Sequence, residues 1–124
     1  MMTDNRGPLT GMKVIELAHV MAGPTCGRML ADMGADVIKV ERVPDGDDTR
    51  RFLPPDIEGE SAAYMMMNRN KRGVAIDLKN SEGKEVLIRM IADADVVIEN
   101  YRANTMAKLG LGYDDLKLIN PGLI

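Results

Sequence analysis

The residues whose types could do chemistry fall in loops. Residues 19–24 read HVMAGP. They lead from an apolar run into a helix start marked by Pro24, because proline in a first helical turn loses no hydrogen bond. Free amides and the helix dipole at such a start suit a phosphate or a carboxylate. The loop has one glycine before its proline rather than the spaced set of a dinucleotide fingerprint, so taken alone it reads first as a tight turn. Glu41 closes the next apolar run, where a dinucleotide fold would use an acid to hold a ribose. Arg42 beside it reads equally as a phosphate contact or a solvated charge. Residues 68–72, NRNKR, gather Arg69, Lys71 and Arg72, and Lys79 follows a further apolar run. Such a cluster can grip a pyrophosphate, although most basic runs are merely solvated. Arg102 and Lys108 add charge beyond the fourth apolar run, and the functional reading rests on these groups recurring at one edge.

Other candidates carry less. His19 is the only histidine; it could serve as a general base, but it has no obvious nucleophile as partner, and a structural role is preferred. Cys26 falls inside the first helix and reads as a buried, inert thiol. Asp47–Asp48 and Asp114–Asp115 read as solvated turn or capping residues.

The elements that must position these residues follow from periodicity. Lys13 to Ala18 and Asp36 to Glu41 are short apolar runs flanking a helix that starts at Pro24 and stops at Gly34. Residues 42–60 are rich in proline, glycine and charge, and read as a loop. A short helix is expected from Ser61 to Met67, a third strand from Val74 to Leu78, and a helix capped by Ser81. In that helix Val86, Leu87, Met90 and Ile91 share one face. Asp95 to Asn100 is the fourth strand. Two short helices, 105–109 and 113–119, precede Leu123 and Ile124, which read as the opening of a fifth strand cut short by truncation. Repeated strand–helix–strand units with right-handed crossovers give an α/β fold with a parallel sheet and flanking helices. Ligands of such sheets bind beyond the carboxyl ends of the strands, which carry the loops above.

Composition sets outer bounds. The chain has 124 residues, enough for one small core, and a formal net charge of −3 gives no argument for nucleic acid or an anionic membrane. Three tyrosines and one phenylalanine are too few for a base-stacking platform, and the 11 methionines read as core filler. One cysteine excludes an internal disulfide and fits a reducing, cytoplasmic setting. The first residues show no signal-peptide core, and no apolar run is long enough to span a membrane.

The succession PLTGMKVIELAHVMAGP, LADMGADVIKVER, GDDTR, NRNKRGVAIDLKNSEGK, ADVVIENYR and LGLGYDDLKLINPGLI resembles the start of class III CoA-transferases, a family that includes formyl-CoA and carnitine CoA-transferases and has alpha-methylacyl-CoA racemases as relatives. Residues 1–8 read as a flexible arm, and the resemblance implies, over 9–124, the incomplete N-terminal portion of a Rossmann-like large domain that holds CoA. It implies CoA contacts at Val20, Met21, Arg42, Ile76, Asp77, Leu78, Lys79, Asn100, Tyr101, Arg102 and Lys108. It also implies acyl-CoA and a carboxylic acid acceptor as substrates, no permanently bound cofactor and no metal, and an interlocked homodimer at full length. The family nucleophile is an aspartate expected beyond Ile124, so no catalytic residue is assigned here. The family shows Pro-Gly after the ENYR run, where this chain has Ala103-Asn104; asparagine tolerates a left-handed turn. The NRNKR…DLK run favours a transferase. A racemase fragment and a non-catalytic CoA-binding or dimerising remnant stand as alternatives.

Overall fold

The computed structural model describes residues 7–124. The predicted arm, residues 1–8, lies outside these apart from its last two residues. In chain order the elements are β1 Lys13–Glu16, α1 Ala22–Asp32, β2 Asp36–Glu41, β3 Asp56–Ile57, β4 Glu60–Ser61, α2 Ala62–Asn68, β5 Arg72–Ala75, α3 Ser81–Ala92, β6 Val96–Ile98, α4 Thr105–Lys108 and α5 Tyr113–Ile119. The main sheet is parallel throughout, in the order β5-β2-β1-β6. The chain therefore winds outward from β1 through β2 to β5, then returns to place β6 on the other side of β1. That reversal creates a crevice at the carboxyl ends of β1 and β6.

Side chains alternate across the sheet, and each face has its own core. On one face Val14 and Val37 pack with Ala31 of α1. On the other, Ile15, Leu17 and Val40 pack with Leu87 and Ile91 of α3 and with Leu116 of α5. A parallel sheet covered on both faces needs apolar residues on each side of its strands, and the adjacent pairs Val14–Ile15 and Val37–Ile38 supply one to each face, which is why KVIELA and DVIKVE were readable as strands.

Several boundaries differ from expectation. The third strand starts two residues early, at Arg72. The Arg72 guanidinium donates to both carboxylate oxygens of Asp36, at 2.9 and 2.6 Å, and pins that end to the start of β2. Ile76 to Leu78 thus lie beyond the strand, free to line a site. Asn80, not Ser81, caps α3; its Oδ1 accepts the Glu82 amide at 2.8 Å. The 42–60 loop holds a 3-10 turn, Asp48–Arg51, and the β3–β4 hairpin. Gly34 ends α1 in a left-handed conformation, φ 106°, as its type suggested. Asn104, standing where glycine is usual, takes φ 66°. Ile124 donates to the Asp95 carbonyl and accepts from the Val97 amide, at 3.1 and 2.9 Å, which is the pairing of a parallel strand beside β6.

Candidate functional site

A cleft of about 530 Å³ opens at the carboxyl ends of the strands, within the size range of small-molecule sites. Ile76, Leu78, Val40 and Leu109 give it an apolar floor, and Arg42, Asp77 and Lys79 give it polar sides. His19 and Tyr101 form one wall, their rings 5.3 Å apart and tilted by 34°. Burial lowers the His19 pKa, so the imidazole is neutral at pH 7. Its Nδ1 is buried without a hydrogen-bond partner among the described residues. Burial, with Glu99 adding to it, pushes the Tyr101 hydroxyl up to about 12. A second concavity, of about 430 Å³, lies at the amino ends of the strands, beside Lys13, Asp36 and Arg72. Sheet topology gives that end no ligand crevice.

The loop after β1 is held from two sides. The Asn100 side chain accepts the His19 amide and donates to the His19 carbonyl, both at 2.8 Å. Val20 takes φ 66°, a conformation strained for a β-branched residue, and its amide donates to Asp47 at 3.2 and 3.3 Å. Asp47 is fully buried rather than solvated, which corrects the surface reading of Asp47–Asp48. It does cap, as expected of its type, by accepting from the amide and the hydroxyl of Thr49.

Asp47 belongs to a charge cluster that sequence reasoning missed. Glu16 of β1 and Lys39 of β2 are register partners and share the α1 face of the sheet, both almost fully buried. Lys39 Nζ lies 3.1 Å from Glu16, 2.9 Å from Asp47, and 2.9 Å from the Ala18 carbonyl. Lys71 Nζ reaches the other Glu16 oxygen at 2.7 Å, as an ion pair rather than an aligned hydrogen bond. Two carboxylates thus face two ammoniums. Burial would raise the Asp47 carboxyl, but Lys39 and Thr49 bring it down to about 2. Burial lowers the Lys71 ammonium even with Glu16 beside it.

These contacts redefine other candidates. Glu41 is committed to the protein. It accepts Arg50 Nε and Nη2 at 2.7 Å each, the Tyr64 hydroxyl at 2.6 Å and the Asp47 amide at 2.8 Å. Burial opposes its ionisation, yet those donors hold it at about 2, and no lone pair is set aside for a ribose. The NRNKR residues do not gather at the carboxyl edge. Arg69 and Asn70 bind Asp32, Lys71 is interior, and Arg72 sits at the amino end of β5. Cys26 is exposed, not buried.

A profile of CoA-transferase family III matches residues 9–124. The chain belongs to CoA-transferase family III. The succinate–glutarate CoA-transferase of Agrobacterium fabrum is 51% identical over 129 residues, covering 99% of this chain and 32% of that protein. The formyl-CoA:oxalate CoA-transferase of Afipia carboxidovorans is 42% identical over 116 residues, 94% of this chain and 27% of that protein. The crystal structure of a CAIB/BAIF family protein from Brucella suis superposes with a TM-score of 0.89 at 51% identity, covering 95% of this chain and 32% of its own. The family III chain thus spans less than a third of each of these relatives.

Of the residues singled out from the family resemblance, the fold brings Arg42, Ile76, Asp77, Leu78, Lys79 and Tyr101 into the one cleft. Asn100 stands behind it, both ends of its amide engaged by His19. Val20 and Met21 form the adjoining loop, with Met21 60% exposed. Arg102 and Lys108 are exposed and do not line the cleft. His19 and Thr105 line it without having been proposed as ligand contacts. No helix among the described residues is long and apolar enough to cross a membrane.

Proposed function

We propose that this chain is the CoA-binding part of an acyl-CoA:carboxylate CoA-transferase, the N-terminal portion of a larger catalytic domain. The observation that carries the reading is the cleft at the carboxyl ends of the strands. Its apolar floor suits an adenine or a pantetheine arm, and Arg42 and Lys79 on its sides suit phosphates. The adjoining loop presents the first amides of α1.

The transfer itself needs an aspartate outside this chain. That carboxylate attacks the thioester carbonyl and expels CoA thiolate, leaving a mixed anhydride. The thiolate then attacks the aspartyl carbonyl and releases the donor acid, leaving an aspartyl-CoA thioester. The acceptor carboxylate attacks that thioester and expels the thiolate again, which returns to the new acyl carbonyl and frees the aspartate. Each step forms and breaks one acyl bond, and covalent passage divides a difficult transfer into easier ones. The role of this chain is to keep the departing thiolate tethered through the nucleotide end, so that its return is effectively intramolecular.

The test is equilibrium binding of CoA by calorimetry, together with amide chemical-shift mapping. Saturable binding that shifts Ile76 to Lys79 and Tyr101 supports the reading. Binding with shifts confined to the amino ends of the strands, or no binding, overturns it.

A further inference from the structure

The loop at residues 19–21 is gripped at successive residues by side chains from different parts of the fold. Asn100, just past β6, holds His19. Asp47, in the turn after β2, holds Val20. The second grip is built with unusual care for a surface turn. Asp47 is 0% exposed, and its own amide donates to Glu41 Oε2 at 2.8 Å. Arg50 and Tyr64 fix Glu41 in turn. Lys39, from the middle of β2, supplies a counter-charge 2.9 Å away. A chain of contacts therefore runs from the end of β2, through Glu41 and Asp47, to the amide of Val20.

What that chain holds is a residue that would not stay there by preference. A valine at φ 66° sets its branched side chain against the backbone, and such outliers persist where surrounding structure over-determines them. Val20 directly precedes Met21, the N-cap residue of α1, whose side chain makes no cap hydrogen bond. Its torsion therefore sets the path of the loop beside the cleft. A buried aspartate that served only to neutralise Lys39 would have no need to reach the Val20 amide.

We propose that Asp47 is a positioning residue that holds Val20 in its left-handed conformation and so pre-organises the loop 19–21 for the ligand of the cleft. The inference rests on the CoA-binding reading. It assigns Asp47 no contact with the ligand; the effect is transmitted through Val20.

Two readouts on the protein test it: the hydrogen-exchange rate of the Val20 amide without ligand, and the Kd for CoA. Asp47→Asn should speed exchange at Val20 at least tenfold and weaken CoA about tenfold. Adding Val20→Gly to that variant should recover much of the affinity, because glycine takes φ 66° without strain, while leaving the thermal midpoint low. Val20→Pro fixes φ near −65° and removes the donor. It should abolish CoA binding while keeping the contacts of Asp47 with Lys39 and Thr49, and so keeps the proposal testable should Asp47→Asn fail to fold. Unchanged exchange in Asp47→Asn, unchanged affinity in either single variant, or affinity that tracks the thermal midpoint with no recovery from Val20→Gly would each overturn the proposal. A wild-type protein that binds no CoA overturns the CoA reading instead, and the exchange measurement still decides whether Asp47 holds the loop.

Discussion

Asn100 pairs with the backbone of His19 as a strand neighbour would, its Oδ1 accepting the amide and its Nδ2 donating to the carbonyl, both at 2.8 Å. The pair closes the crevice between β1 and β6 just where their ladder ends. Asn100→Ala leaves both His19 groups to find water in a half-buried loop, and a loss of about 1–3 kcal/mol is expected. Urea titration should show a lower midpoint with an unchanged slope. Asn100→Asp keeps an acceptor but turns a carboxylate oxygen on the His19 carbonyl, and should cost at least as much.

The backbone of α1 comes close to the sheet at Gly27. A Cβ added there would lie 1.8 Å from Glu16 Oε2 and 2.9 Å from its Cδ. Glu16 cannot yield without abandoning Lys39 or Lys71, and a buried ammonium left unpaired is costly. Gly27→Ala is therefore expected to destabilise by about 3 kcal/mol, the upper end for overpacking. Gly73→Ala is the control. Apart from its chain neighbours, no heavy atom lies within 4 Å of a Cβ added there, and a change within about 0.5 kcal/mol is expected. Thermal melts of the two variants should separate widely.

Acid should unfold the protein through Glu41 and Asp47. Both titrate near 2 in the fold, against about 4 when unfolded. Between those values the unfolded chain binds more protons. The stability they contribute is therefore fully present above about pH 4 and is lost as pH falls towards 2. Each contributes on the order of 2 kcal/mol at neutral pH. Glu41→Gln should flatten the stability profile between pH 4 and 2, measured by urea midpoints at stepped pH. A slope there equal to that of the wild type would refute this assignment.

The strand-end residues Arg42 and Asp77 to Lys79 and the parallel sense of the sheet were legible because both depend on local pattern. Apolar runs separated by one helical pattern force crossovers, and crossovers force Arg42, Lys79 and Asn100 to the same sheet edge. The charge cluster was not legible for the opposite reason. Glu16 is the one acid of β1 and Lys39 the one base of β2, each unremarkable until the two strands are placed in register. That register is a tertiary fact, although a lone acid in KVIELA and a lone base in DVIKVE were a signal in hindsight. Asp47 was misread because turn aspartates are mostly solvated, and nothing local reveals that Lys39 waits beneath it. The NRNKR run misled for a related reason: adjacent basic residues in a turn point different ways, and here three of them found three separate acids.

Arg42 faces the cleft but is not idle, since its guanidinium pairs with Asp48 while each side chain remains nearly half exposed. Asp48 also accepts from Arg51 at 3.0 Å, so it can release Arg42 without being left alone. An exposed pair of this kind contributes little to stability, and a phosphate offers Arg42 a stronger, bidentate partner. Arg42→Ala should leave the thermal midpoint nearly unchanged and weaken CoA by roughly tenfold or more, the equivalent of one charge-assisted hydrogen bond. Pantetheine, which lacks the nucleotide phosphates, should bind the variant and the wild type alike. Asp48→Ala, by freeing the guanidinium, should tighten CoA a few-fold at low salt, and that gain should shrink as ionic strength rises. Calorimetric titration of both ligands against the three proteins separates these outcomes. Equal losses for CoA and pantetheine in Arg42→Ala would place Arg42 away from the phosphates.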